Sequence, residues 1–273
     1  MTSVSPQAIA FIGAGNMTTA IVQGMVKAGY PADLIMTTNR SAEKLAAFAA
    51  LGVQTSTDNN AALAFAEHIV LAVKPQMLAE VCGALGDSKR DKAYISIAAG
   101  VSVERIQAML GASVSVVRTM PNTPSAVGLG MTGMYAPAEA LPESKALAQY
   151  CLAQVGKTLW VTREDDINTV IAAAGSAPAY IFLFAEYMQA KTQALGLDEA
   201  AAKLLVSQAI AGAGAMLCEA GDTDFATLRA NVTSKGGTTA KAIDSFVADN
   251  LADTIDKAMQ AAVDRAVEMQ SQI

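Results

Sequence analysis

The segment that decides the fold is Ala8-Ile9-Ala10-Phe11-Ile12-Gly13-Ala14-Gly15-Asn16-Met17. Its first five apolar residues predict a buried β-strand, and the helical spacing of Thr18–Lys27 predicts an α-helix directly after the glycines. Gly13 permits a tight turn, and Gly15 lets a phosphate approach the backbone at the positive end of the helix. Thr18 stands where the fingerprint usually has a third glycine. The segment predicts a dinucleotide site; the alternative is a strand-to-helix turn without a ligand.

Further apolar runs, separated by stretches with helical spacing, extend this pattern along the first half of the chain. Several runs are apolar on both faces, as expected for parallel strands that helices cover on both sides. The alternation predicts an α/β fold, with an N-terminal Rossmann-type doubly wound sheet in residues 1–163. The predicted strands are Ala8–Ile12, Leu34–Thr38, Ile69–Val73, Tyr94–Ala98, Val114–Thr119, Gly128–Tyr135 and Thr158–Val161.

After Arg163–Asp166 the pattern predicts no strands, so residues 164–273 are expected to form an all-α dimerisation and substrate domain. Gly196 and Gly221 are expected to end helices, and Asp198 and Thr223 to cap the helices that follow. The segment Leu204–Cys218 contains no charge. Helices this apolar predict burial against a second subunit, in a homodimer or higher homo-oligomer. The predicted helices are 167–195, 199–220, 225–232, 238–247 and 251–270.

A second glycine loop, Val232-Thr233-Ser234-Lys235-Gly236-Gly237-Thr238-Thr239, precedes one of these helices. Two glycines before hydroxyl residues leave backbone N–H groups free to face an anion at the positive end of the helix. The loop therefore predicts a cradle for a small anion. In the alternative interpretation, Ser234 and both threonines simply cap the helix.

The ends of the predicted strands supply the remaining cofactor candidates. Asn39-Arg40-Ser41 follows the second strand and has no acidic residue to hold a ribose 2′-hydroxyl, so it favours NADPH, with NADH possible. Carboxyl ends of parallel strands line the ligand crevice, which adds Ala72-Val73-Lys74-Pro75 and Ala98-Ala99-Gly100. Lys74 either touches cofactor phosphate or ribose, or is solvated. Arg40 and Ser41 could equally lie in a surface loop and cap the next helix.

Composition excludes several classes of function. The formal net charge of −6 argues against nucleic-acid binding, which needs a basic surface. Three isolated cysteines and an N-terminus without signal-peptide character indicate a cytoplasmic protein with ordinary buried thiols. Ile167–Ala185 is uncharged, but Gly175, Ser176 and Pro178 interrupt it, which indicates a helix hairpin buried in protein and not a membrane span. No metal-ligand spacing appears, and His68, the single histidine, is expected to be solvated.

Taken together, these segments resemble the pyrroline-5-carboxylate reductases, which make proline from its cyclic imine. The resemblance covers nearly the whole chain and implies NAD(P)H as hydride donor and an active site completed across a dimer. It implies a substrate loop of Ser234, Gly236, Gly237, Thr238 and Thr239, and it places Glu164, Asn59 and Asn231 near substrate or cofactor. Of these three, we expect Glu164 among the catalytic residues, and Asn59 and Asn231 at the cofactor. Lys235 departs from the proline of the commonest form. The matching motifs are Gly13–Met17, Ala72–Gln76, Arg118–Pro124, Gly175–Tyr180 and Val232–Thr239.

Reduction of a cyclic imine needs no metal and no strong base, because a protonated C=N is already electrophilic. We expect the substrate carboxylate on the N–H groups of Gly236, Gly237 and Thr238, aided by Ser234. The hydroxyl of Thr239 is expected to hydrogen-bond the ring nitrogen. One rival is a hydroxyacid dehydrogenase of the 6-phosphogluconate-dehydrogenase-like kind, which needs a lysine that residues 167–190 lack. The other rival is a dinucleotide-binding sensor without catalysis.

Overall fold

The computed structural model describes residues 5–272, and the side chains of residues 5–270. Residues 1–4, where the predicted first domain begins, and residue 273, where the second ends, lie outside that part. The chain forms two compact units, one of Met1–Pro178 with Ala261–Ile273 and one of Ala179–Gln260. The domain limits at residues 163 and 164 stay a prediction.

One eight-stranded sheet forms the centre of the first unit. Its strands are β1 (Ile9–Ile12), β2 (Ile35–Thr38), β3 (Gln54–Ser56), β4 (His68–Leu71), β5 (Ala93–Ser96), β6 (Val116–Met120), β7 (Gly130–Tyr135) and β8 (Gly156–Trp160). The strand order is β3-β2-β1-β4-β5-β6-β7-β8. All neighbours are parallel except β6 and β7. The order reverses between β1 and β4, where a doubly wound sheet opens its ligand crevice, and the predicted fold class is confirmed.

Helices cover both faces of this sheet, which is why β1 is buried at every position. Ile9 and Phe11 belong to one apolar cluster, and Ala10 and Ile12 to the other, as the alternation of strand side chains requires. The helices up to the last strand are α1 (Asn16–Lys27), α2 (Ala46–Ala49), α3 (Asn60–Phe65), α4 (Leu78–Ala84), α5 (Val103–Leu110) and α6 (Pro142–Ala153). Short 3-10 helices lie at Ala32–Leu34, Ala42–Leu45, Pro75–Met77, Asp87–Asp91 and Thr123–Val127.

Within the described residues, everything after Trp160 is helical or loop, as the sequence predicted. The helices are α7 (Asp166–Val170), α8 (Ala177–Ala194), α9 (Glu199–Glu219), α10 (Phe225–Asn231), α11 (Thr238–Ala248) and α12 (Leu251–Gln272). Gly196 and Gly221 have positive φ beyond the ends of α8 and α9, and Asp198 caps α9 by accepting from the N–H of Ala201 at 2.8 Å. The predicted cap Thr223 is wrong: Asp224 accepts from the N–H of Thr227 at 2.9 Å.

The start of the helical half differs from the predicted helix hairpin. A π-helical turn, Ile171–Gly175, joins α7 to α8, so that Asp166–Ala194 is one helical run. The N–H of Ser176 donates to the carbonyl of Ile171 at 2.8 Å, which is the wider hydrogen bond of a π-turn. The glycine, serine and proline are therefore accommodated by a bulge and do not reverse the chain.

Large apolar side chains lie exposed along α8 and α9. Phe182 and Tyr187 of α8 are 67% and 66% exposed, and Leu204 of α9 is 68% exposed. Judged by length and composition alone, Asp166–Ala194 and Glu199–Glu219 could cross a membrane. An apolar surface this extended needs a covering partner.

Three further expectations are corrected by the structure. β3 was missed because Gln54-Thr55-Ser56 is polar and lies at the sheet edge, where burial imposes no apolar pattern. His68 is buried, at 6% exposure, and not solvated. Cys82 and Cys151 are buried thiols as expected, whereas Cys218 is exposed.

Candidate active site

Gly13 occupies a position that tolerates only glycine. Its φ is +119°, and a Cβ there would lie 2.6 Å from the carbonyl oxygen of Ala72. The N–H of Gly13 donates to the carbonyl of Thr38 at 2.9 Å, and Ala72 donates to the carbonyl of Ile12 at 3.0 Å. The turn after β1 is thus held between the ends of β2 and β4, at the switch point of the sheet.

Gly15 is different, because nothing in the protein requires it to be glycine. It is the N-cap of α1 with φ −88°, it is exposed, and a Cβ there would meet no atom within 4 Å. Asn16 and Met17 form the first turn of α1, whose N–H groups have no intrahelical acceptors. An open, Cβ-free approach to unpaired N–H groups fits the pyrophosphate of a dinucleotide.

Asn39, Ser41 and Asn59 meet at the carboxyl end of β2. The Oδ1 of Asn59 accepts from the hydroxyl of Thr38 at 2.8 Å, and the Oδ1 of Asn39 accepts from the N–H of Ser41 at 3.3 Å. Ser41 is the N-cap of a 3-10 helix, but its side chain accepts no capping hydrogen bond. Asn59, which sequence spacing alone would not place here, is therefore fixed beside the expected ribose site.

Arg40 is paired with Glu80, Nη1 to Oε1 at 3.0 Å, and both side chains are 66% exposed. Exposed pairs of this kind contribute only about 0–1 kcal/mol. The guanidinium is therefore available to a doubly charged phosphate. Lys74, the N-cap of the Pro75–Met77 helix, is exposed and forms no ion pair within the described side chains.

Two strand-end segments face the crevice from β4 and β5. Ala72 and Val73 follow β4 directly, and Ala98-Ala99-Gly100 follows β5. Gly100 has φ +74°, a left-handed backbone that favours glycine. Because β1, β4 and β5 are adjacent and parallel, their carboxyl ends bring Gly13, Ala72 and Ala98 to one edge of the sheet.

Glu164 makes contacts that sequence reasoning did not anticipate. Its Oε1 accepts from the backbone N–H of Val103 at 2.8 Å and from Nη1 of Arg118 at 3.0 Å. Arg118 is 1% exposed. The only sequence signal for Arg118 was its place at the start of the Arg118–Pro124 motif. Asn122 of that motif bridges the sheet and the π-turn, donating to the carbonyl of Ala174 at 3.0 Å and accepting from Met131 at 2.8 Å.

The second glycine loop forms a tight turn in front of α11. The N–H of Gly237 donates to the carbonyl of Ser234 at 3.0 Å, and Gly236, the third residue of the turn, has φ +74°. These are features of a type II turn, which favours proline at its second position, here Lys235. Gly237 is the N-cap of α11, and a Cβ there would lie 2.5 Å from Oγ of Ser234.

Thr238 and Thr239 open α11, so their N–H groups belong to its unpaired first turn. Both residues are exposed, as are Ser234 and Gly236. The Thr239 hydroxyl has no hydrogen-bond partner among the residues that the structure describes, whereas that of Thr233 donates to Arg229 at 2.6 Å. Asn231, the last residue of α10, is exposed. The loop therefore presents N–H groups and the unpaired Thr239 hydroxyl to solvent on the same turn.

Across the described residues, no group of three carboxylate, histidine or cysteine side chains is placed to hold a metal ion. The buried His68 contacts the hydroxyl of Ser144 through Nε2 at 3.3 Å, and burial lowers its pKa. It begins β4, at the opposite end of that strand from Ala72. His68 therefore belongs to the core and not to either loop.

These features define a dinucleotide-dependent oxidoreductase with a helical second domain, and comparison with known proteins specifies it. Residues 164–269 match the model for pyrroline-5-carboxylate reductase dimerisation. Residues 8–100 match the model for NADP oxidoreductases dependent on coenzyme F420.

Whole-length relatives agree with these matches. The pyrroline-5-carboxylate reductase of Vibrio alginolyticus is 51% identical, with 96% of this chain and 97% of that protein covered. The structure of a pyrroline-5-carboxylate reductase from Coxiella burnetii has a TM-score of 0.88 at 41% identity, covering 97% of this chain and 99% of that one. The Plasmodium falciparum pyrroline carboxylate reductase with NADP bound has a TM-score of 0.87 at 26% identity, covering 97% and 98%.

The chain belongs to the pyrroline-5-carboxylate reductase family. It is an NAD(P)-dependent oxidoreductase that reduces pyrroline-5-carboxylate to proline, the final step of proline biosynthesis. Its helical half is the dimerisation domain of a homo-oligomer, which accounts for the exposed apolar faces of α8 and α9.

Proposed function

We propose that the Ser234–Thr239 turn binds the ring carboxylate of pyrroline-5-carboxylate and that Thr239 holds its nitrogen. The observation that carries this proposal is the turn itself. Within the described residues, the N–H groups of Gly236, at φ +74°, and of Thr238, in the first turn of α11, have no acceptor, whereas the N–H of Gly237 closes the turn onto the carbonyl of Ser234. An anion gains both those hydrogen bonds and the field of α11. The hydroxyl of Ser234, close to Gly237, supplies a further donor to the carboxylate.

Thr239 is the second residue of α11. If the substrate carboxylate binds the N–H groups just before it, the hydroxyl of Thr239 lies near the substrate ring. Its oxygen accepts a hydrogen bond from the protonated imine nitrogen and holds that proton in place. When the imine carbon receives hydride, the electrons of the C=N bond move to nitrogen, which keeps its proton and becomes the amine of proline. Positioning supplies most of the acceleration.

The cofactor NADPH supplies the hydride when bound. We place its pyrophosphate on Gly13, Gly15, Asn16 and Met17, and its ribose phosphate beside Asn39, Arg40, Ser41 and Asn59. Ala72, Val73, Lys74 and Pro75 border the centre of the dinucleotide, and Ala98, Ala99 and Gly100 the nicotinamide end. The weak pairing of Arg40 with Glu80 supports NADPH over NADH, because a doubly charged 2′-phosphate binds the guanidinium more strongly than one exposed carboxylate does.

Three further assignments complete this proposal. Asn231 lies near substrate or cofactor, the active site is completed by a partner subunit in the dimer, and the enzyme works in the cytoplasm. The exposed apolar helices support the dimer, and the two buried thiols suit a reducing compartment.

The experiment follows NADPH absorbance with pyrroline-5-carboxylate, and with 2-keto and 3-keto acids as controls. Consumption only with the imine is the expected result. Consumption only with a keto acid would establish a hydroxyacid dehydrogenase, although the first lysine of Asp166–Ala194 is Lys191 in its last turn. Binding of NADPH without consumption of any substrate would indicate a sensor.

A further inference from the structure

We infer that Arg118, Glu164 and Met269 are positioning residues that clamp the Ala98–Gly100 turn and so set the affinity for NADPH. This inference rests on the proposed function, which assigns the nicotinamide end of the cofactor to that turn. It also reassigns Glu164, which the sequence had placed among the catalytic residues.

The first side of the clamp is the Arg118–Glu164 pair. One oxygen of Glu164 receives both the N–H of Val103 at 2.8 Å and Nη1 of Arg118 at 3.0 Å. Val103 is the first residue of α5, directly after the turn. Since the guanidinium on β6 is 1% exposed and cannot move into solvent, it fixes the carboxylate, and the carboxylate fixes the start of α5.

Burial leaves the Arg118 guanidinium dependent on the Glu164 carboxylate. Its Nε and Nη2 are buried and have no hydrogen-bond partner within the described residues, so Glu164 is the group that compensates its charge. A buried cation without its anion is strongly unfavourable. The pair therefore resists any displacement that separates Glu164 from β6, and with it any displacement of Val103.

Met269 of α12 forms the second side of the clamp. Gly100, in the left-handed backbone region, lies so close to α12 that an added Cβ would be 3.0 Å from Cβ and 3.6 Å from Cε of Met269. The adjacent Gln270 donates to Oδ1 of Asn168 at 3.2 Å. One turn earlier, Ala266 is 4% exposed in a cluster with Ile167 and Ile171. The end of α12 is thereby seated on α7 and covers the turn at Gly100.

A third contact closes the base of the turn. The hydroxyl of Thr119 donates to the carbonyl of Ser96 at 2.9 Å, and Oγ of Ser96 accepts from the N–H of Ala98 at 3.3 Å. The turn is thus held where it leaves β5, where it enters α5, and at Gly100. A loop held at three points presents its backbone to a ligand with little freedom to lose, which favours binding.

The experiment compares Glu164→Gln and Met269→Ala with wild type, using NADPH fluorescence titration in the absence of imine, steady-state kinetics, the pH profile of kcat and thermal unfolding. Val267→Ala is the control, because Val267 lies on the same helix and is 51% exposed. Glu164→Gln is expected to raise the Kd for NADPH at least about fivefold, with the KM for imine within about twofold and an unchanged pH profile. Met269→Ala is expected to raise the Kd about two- to fivefold, and the control to leave it unchanged.

A catalytic role for Glu164 gives the opposite pattern. In that case Glu164→Gln would abolish turnover or remove one limb of the pH profile while the Kd for NADPH stayed at the wild-type value, and the inference would be overturned. If Glu164→Gln fails to fold, Met269→Ala decides: an unchanged Kd for NADPH rejects the clamp. Imine reduction by the wild type tests the proposed function separately, so failure of the clamp leaves that result unaffected.

Discussion

Substitution of Gly15 by alanine separates cofactor binding from folding. The N-cap backbone of Gly15, φ −88° and ψ 176°, suits alanine, and the added Cβ meets no atom of the protein within 4 Å. The free energy of unfolding should therefore change by less than about 1 kcal/mol. The same Cβ occupies the approach to the N–H groups of α1. Loss of two charge-assisted hydrogen bonds at about 1.5 kcal/mol each amounts to about 3 kcal/mol, or roughly a 100-fold increase in the Kd for NADPH.

Gly13→Ala is the matched comparison, since it adds the same methyl group two residues earlier. At φ +119° and 2.6 Å from the carbonyl oxygen of Ala72, the strain and overlap should lower the free energy of unfolding by about 3 kcal/mol. Urea unfolding monitored by circular dichroism and NADPH fluorescence titration measure both quantities. Equal destabilisation by the two variants would show that Gly13 is not under special backbone constraint, and wild-type NADPH affinity in Gly15→Ala would show that the cofactor does not approach the backbone at Gly15.

Three other substitutions test separate parts of the molecule. Thr239→Ala should lower kcat about 100-fold and leave the Kd for NADPH unchanged, whereas Thr239→Ser should lower kcat much less. An unchanged kcat in Thr239→Ala would remove Thr239 from the mechanism. Lys235→Pro should raise the free energy of unfolding by about 0.5 kcal/mol, because proline suits the second position of a type II turn. Loss of the lysine charge should also weaken the salt dependence of the KM for imine. A lower melting temperature would contradict the type II turn. Burial lowers the pKa of His68 from 6.5, so the folded state binds fewer protons, and stability present above pH 6.5 should decline as pH falls below it. A His68→Gln variant whose unfolding free energy declines equally with pH would assign that loss to other groups.

Most of the fold was predictable because buried strands and helices require apolar residues at regular positions in the sequence. β1 is buried on both faces and reads as a continuous apolar run, and the long helices of the second half appear within a few residues of their predicted limits. β3 has no apolar pattern, because this edge strand of three polar residues is specified by its pairing with β2. His68 was misjudged for a related reason: a polar residue at a strand end is assumed solvated, and only tertiary packing against Ser144 reveals otherwise.

The candidate site divides in the same way. Gly13 and Gly236 were recognisable because a turn with positive φ favours glycine. Gly15 and Gly237 were recognisable because glycine directly before a helix leaves its first N–H groups open to an anion. The partners of Glu164 were not recognisable, since Val103 and Arg118 lie 61 and 46 residues away in the chain. Hydrogen bonds between residues far apart in the chain produce no periodic pattern in the sequence, so they cannot be predicted from it. Arg118, buried and charged, is the residue whose role sequence reasoning missed most completely.

We have proposed that the turn in front of α11 binds the ring carboxylate, and a crystal structure of the homo-oligomer with bound proline examines this contact most directly. We predict that the proline carboxylate lies within about 3.2 Å of the N–H groups of Gly236 and Thr238, with the hydroxyl of Thr239 facing the ring nitrogen. A carboxylate bound away from these N–H groups, in crystals where the ring occupies the active site, would contradict it.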